Sequence, residues 1–129
     1  MDRVKIAIEN HKKGYNCAQA VVCAFADKTG FSEDQLFRMI EGFGGGMGGT
    51  GGVCGAVSAM VVMAGLKNSA GIDALPKTNK MDSYKDSANL MKEFEDMNQS
   101  VICSRIKGEG LRSCDGCIED AVKILEKYL

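Results

Sequence analysis

The spacing of apolar residues along the chain is helical nearly throughout, and no segment shows the period-two alternation of a half-buried strand. The pattern predicts an all-α fold, a compact bundle of about six or seven helices with a glycine-rich loop before a buried central helix. From Asp2 to about His11, the residues Val4, Ala7, Ile8 and His11 share one face, and Gly14 closes the segment. Asn16 is placed to cap a second helix from about Cys17 to Lys28, with Cys17, Ala20, Val21, Ala24 and Phe25 along one stripe and Gly30 beyond its end. Ser32 followed three residues later by Gln35 reads as a capping box for a short third helix reaching about Glu41.

Between Gly42 and Gly52, eight of eleven residues are glycine, a density that no regular element tolerates. The loop leads into Val53 to Leu66, where Cys54, Ala56, Val57, Met60, Val61, Met63 and Leu66 surround the axis instead of striping it. A helix apolar all round belongs in a core. A polar connection containing Pro76, the only proline, runs from Asn68 to about Met81. A long amphipathic helix then starts at Asp82 or Ser83, carrying Tyr84, Ala88, Met91, Phe94 and Glu95, and breaks near Asn98 to Ser100. A short segment with Val101, Ile102, Cys103 and Ile106 follows, and a last helix starts near Ser113 or Asp115 with Ile118, Ala121, Val122 and Leu125 on one face.

With 129 residues and no linker or repeat, the chain reads as a single helical domain, 1–129. Sixteen basic and seventeen acidic residues leave a formal net charge of −1, so no field gathers nucleic acid or an anionic membrane. The opening Met1-Asp2-Arg3-Val4-Lys5 is charged where a signal peptide is apolar, and no apolar run approaches the ~20 residues of a spanning helix. The expectation is a cytoplasmic protein with no membrane insertion. In a reducing compartment its six cysteines read as reactive thiols, metal ligands or a catalytic pair in preference to permanent disulfides.

The positions of those cysteines carry the chemistry. Cys17, Cys54 and Cys117 each fall in or next to the first turn of an expected helix, and Cys103 shares that setting if Asn98 or Ser100 caps a short one. Unpaired N–H groups and the positive end of the helix dipole favour a thiolate there, which raises nucleophilicity and metal affinity. Cys114-Asp115-Gly116-Cys117 is a C-x-x-C whose sulfurs can form a disulfide or chelate one metal. No strand precedes it, so a thioredoxin arrangement is not supported. Cys23 lies six residues after Cys17 on another side of the same helix and reads as a small buried hydrophobe.

In the glycine loop, Gly46-Met47-Gly48-Gly49-Thr50-Gly51 fits G-x-G-x-x-G, but a helix precedes it where the dinucleotide fingerprint needs a strand, and the Gly-Lys-Ser/Thr ending of a P-loop is missing. Gly45, Gly46, Gly48 and Gly49, with Gly55, remain candidates for letting the backbone approach a bound group beside Cys54. The plain alternative is a packed turn. His11, the only histidine, reads as a helix-end side chain, and Met60 and Met63 as core filler in preference to copper ligands.

Taken in order, Gly14-Tyr15-Asn16-Cys17-Ala18-Gln19-Ala20, the glycine loop, Cys54-Gly55-Ala56-Val57-Ser58-Ala59, Cys103 and Cys117 resemble the C_GCAxxG_C_C family of redox-active proteins, over nearly the whole chain. The resemblance implies a helical protein of this size with four signature cysteines, here Cys17, Cys54, Cys103 and Cys117, and Cys114 as a companion to the last. One departure is Ala59, which stands where the motif closes on glycine.

Two functions are expected from different classes. In the first, the clustered cysteines perform thiol-disulfide exchange, with Cys54, Cys114 and Cys117 as catalytic candidates, or carry electrons through an iron-sulfur cluster held by Cys17, Cys54, Cys103 and Cys117. In the second, the same four thiolates close around zinc as a structural module without turnover. The expected partner is a redox protein or a small thiol. A bundle this small with so many apolar helices also allows a homodimer.

Overall fold

A computed structural model describes residues 1–129. The architecture is all-α, with helices α1 (Arg3–Lys12), α2 (Cys17–Cys23), α3 (Glu33–Ile40), α4 (Gly55–Asn68), α5 (Lys80–Asn98), α6 (Cys103–Gly108) and α7 (Cys114–Tyr128). The caps read from the sequence operate: Asn16 accepts from the Gln19 N–H while the Gln19 side chain accepts from Asn16, and Ser32 and Gln35 repeat the exchange at α3. Ser113 caps α7 by accepting from the Gly116 N–H at 3.0 Å. No helix is long and apolar enough to cross a membrane.

Helix α4 is the central element, packing against α2, α5 and α7, while α1 lies across α2 and α7. Its residues from Gly55 to Met60 are all buried, and the burial loosens toward its C-terminus, where Leu66 is exposed. One continuous core joins Phe25, Leu36, Met60, Phe94, Ile118 and Leu125 to the helices around them. The long helix α5 buries Leu90, Phe94 and Asn98; of the expected stripe Phe94 is buried and Met91 half-buried, whereas Tyr84, Ala88 and Glu95 are exposed. The polar Asn98 on the buried face donates to the buried Asp120 at 3.1 Å.

Two segments differ from their patterns. The second stops at Cys23 and continues as a 3-10 turn over Ala26–Lys28. The glycine loop is ordered: it contains a 3-10 turn at Glu41–Phe43 and one helical turn at Gly44–Met47, within which Gly45 and Gly46 leave helical geometry at φ 63° and 71°. Only glycine adopts such angles without cost. At its end, Val53 forms a single antiparallel bridge with Ile102, the Cys54 N–H donates to Val101 at 2.8 Å, and the Cys103 N–H donates to Gly52 at 2.7 Å. This crossing sets the start of α4 against the start of α6 and so brings Cys54 and Cys103 to one place.

Candidate functional site

Five of the six cysteines line one narrow cavity of ≈ 20 Å³: Cys17, Cys54, Cys103, Cys114 and Cys117. Each comes from a helix start. Cys17, Cys103 and Cys114 open α2, α6 and α7, Cys54 immediately precedes α4, and Cys117 lies in the first turn of α7. Gly45 and Ile106 fill the wall between them, and the side chains of Lys107 and Arg112 close the rim. Cys23 stays out of the cavity, buried in α2 with a long 3.8 Å contact to the Glu33 carbonyl, as a small hydrophobe should be.

The thiols are free, and three of them form a chain. Cys17 hydrogen-bonds to Cys54, and Cys54 hydrogen-bonds to Cys117. The chain has a direction. Cys117 is held below the ordinary thiol pKa, chiefly because Cys54 donates to its sulfur, against burial. Cys54 is pushed up to about 11, first by donating to Cys117 and further by burial, although Cys17 works the other way. Cys17 rises further still, through its bond to Cys54 and then burial, while backbone N–H groups of Gly45 and Ala18 oppose the rise. Cys103 is raised by burial, with Lys107 pulling it down.

Two cations face this chain. Lys107 lines the cavity with Cys114, the one cavity thiol of α7 that is partly exposed, and its ammonium pKa is raised chiefly by that neighbour. Arg112 donates from Nε and Nη2 to the buried Asp120 carboxylate at 3.1 and 3.2 Å. That pair lays the guanidinium across Gly116, where a Cβ would stand 2.4 Å from Arg112 Nε. Gly116 in the C-x-x-C is thus the space through which Arg112 reaches the sulfurs. On the outer side, His11 Nδ1 meets Asp115 Oδ1 at 2.6 Å and ties α1 to the same motif.

The glycines divide. Gly45 lines the cavity and directs its N–H at Cys17, and Gly46 is buried so close to Cys103 that a Cβ would stand 2.6 Å from the cysteine's own. Gly55 gives the same room to Cys17, whose Sγ lies 2.6 Å from the position of a Cβ. Gly48 and Gly49 sit on the exposed side of the loop, and the N–H of each is turned inward to the Gly44 carbonyl. Those two N–H groups are spent within the loop. The loop's density of glycine serves close packing around sulfur.

The model of the family described as "Putative redox-active protein (C_GCAxxG_C_C)" matches residues 15–128. The chain belongs to this family. No curated protein and no solved structure matches it. For this member of the C_GCAxxG_C_C family, the redox label falls on a chain whose cysteines, scattered through the sequence, meet at one cavity.

The donor set also bears on a bound metal or cluster. No group of three or more His, Cys, Asp or Glu side chains is arranged to hold a metal ion.

Sequence reasoning missed Lys107 and Arg112. Lys107 was legible as the residue one turn after Cys103, on the same face of α6. Arg112 was not, because its reach depends on Asp120 and on the missing side chain of Gly116.

Proposed function

We propose that the protein is a thiol-disulfide redox protein in which Cys114 and Cys117 exchange electrons with a disulfide substrate. The observation that carries this reading is geometric: a partly exposed thiol, Cys114, and a buried one, Cys117, open the same helix and line one cavity with Lys107. Cys114, as the thiolate, attacks one sulfur of R–S–S–R, and RS⁻ leaves with the bonding electrons and takes up a proton. Cys117 then attacks the Cys114 sulfur and expels the second RS⁻. Two electrons pass from the protein to the substrate, a Cys114–Cys117 disulfide remains, and a small thiol or redox protein restores the dithiol.

Cys114 and Cys117 lie three apart at the start of a helix, where neighbouring Cβ atoms stand ~5–6 Å apart. A disulfide needs ~3.5–4.5 Å, so oxidation tightens the first turn of α7 by about 1–2 Å. Arg112 sits over that turn and favours the thiolate form.

The test is to equilibrate the reduced protein with defined mixtures of reduced and oxidised glutathione, alkylate, and map the cysteines by mass spectrometry. The expected product is one disulfide joining Cys114 to Cys117. A pair that stays reduced while Cys17 joins Cys54, or no disulfide at all, would overturn the assignment. Iron and zinc are measured on the same protein after anaerobic purification, and stoichiometric metal with protected thiols would replace exchange by ligation.

A further inference from the structure

Exchange through a C-x-x-C needs two thiols, yet Cys17, Cys54 and Cys103 also face the cavity, and none of them is required by the reaction above. The cavity's size narrows what their presence serves. At ≈ 20 Å³ it has room for about one water-sized group, far less than the body of any organic thiol. Its wall is sulfur, the side chain of Ile106 and the backbone of Gly45. Such a soft, largely apolar surface suits a polarisable atom better than water. Charge on that atom is met by Lys107 and Arg112, which line the same cavity.

We propose that the cavity receives a single sulfane sulfur atom, taken up at Cys114 from a persulfide or polysulfide and carried as a persulfide on Cys117. The proposal rests on the Cys114–Cys117 reading and names the substrate class of that site. In the first step the Cys114 thiolate attacks the outer sulfur of R–S–S⁻. The S–S bond breaks, R–S⁻ leaves with its electron pair and takes up a proton, and Cys114 holds the transferred sulfur as Cys–S–S⁻. In the second, the Cys117 thiolate attacks that outer sulfur, which moves inward and leaves Cys114 as the thiolate again. The protein ends with as many electrons as it began, so no oxidant or reductant is consumed. Bulky R groups remain outside because only one atom crosses the rim.

The experiment treats the reduced whole protein with sodium polysulfide, alkylates it, and maps the peptide Ser113–Lys123 by mass. The expected result is the mass of one added sulfur, placed on Cys117 by fragmentation and retained through brief exposure to a small thiol. In Cys117→Ser the added sulfur remains on Cys114 and is lost to the same thiol, and in Cys114→Ser loading is lost over the time that fills the unaltered protein. Three results would overturn the proposal. One is added sulfur spread indifferently over the cysteines, Cys23 included. Another is no retained sulfur while oxidised glutathione still joins Cys114 to Cys117, which removes the persulfide and leaves disulfide exchange standing. The third is no reaction with either reagent, which removes both.

Discussion

Cys117 holds its charge because Cys54 lends it a proton donor, so the two residues titrate as parts of one arrangement. Removing the donor destabilises the anion, and the proton is then kept to higher pH. Cys54→Ala is therefore expected to move the pH midpoint of the Cys117 thiolate upward, while Cys54→Ser, which keeps an O–H donor, moves it less; ultraviolet thiolate absorbance, read against Cys117→Ser in each background, measures the difference. Burial and the neighbouring Glu33 push Cys23 up to about 11, so it adds no thiolate at neutral pH. Gly55 shows the opposite dependence, on space instead of charge. A methyl group there would meet Cys17 Sγ at 2.6 Å and the Phe43 carbonyl at 3.0 Å. Overpacking of that kind costs about 1–3 kcal/mol, and urea titration of Gly55→Ala is expected to show a loss in that range.

At the level of elements, the helix starts carry the site and their caps hold it in place. Asn16 accepts from the Gln19 N–H at 2.9 Å and donates from Nδ2 to the Glu41 carbonyl at 2.9 Å, so it fixes the start of α2, with Cys17, against the glycine loop. Asn16→Ala should lower stability by about 1 kcal/mol, measured by thermal or denaturant unfolding, and should loosen Cys17 toward alkylation. These starts were legible in the sequence because capping is local: Asn16, Ser32 and Ser113 each announce a helix within three residues. The buried central helix was legible too, since its apolar positions surround the axis. What the sequence did not disclose was the meeting of Cys54 with Cys103, because that contact depends on the Val53–Ile102 bridge between segments 49 residues apart (102 − 53). The buried polar end of α5 was hidden for a related reason. Asn98 donates to Asp120 on α7, a partner that no periodicity within α5 reveals.

In the molecule as a whole, the thiol cavity and the main packing interface occupy different regions. Helix α5 packs extensively on α4 and contributes no residue to the cavity, whose side chains come from α2, the approach to α4, α6, α7 and the segment before it. The cavity exists only while the bundle is folded, yet apart from the link from Arg112 through Asp120 to Asn98 of α5, its charged and thiol groups come from those helix starts. Phe94, fully buried on α5, separates the two dependences. Phe94→Ala removes a large side chain from a packed core and is expected to cost about 3–5 kcal/mol, a large share of the ~5–15 kcal/mol that holds a domain of this kind together. Under native conditions the pH profile of the Cys117 thiolate absorbance should nevertheless match that of the unaltered protein, because Cys54 and Lys107 belong to the helix starts and not to α5. In urea the profiles should part, with the variant's thiols converging at a lower concentration on the ordinary value of about 8.5. If the native profile shifted as well, the order of the sulfurs would depend on the whole core, and the helix starts would not suffice to set it.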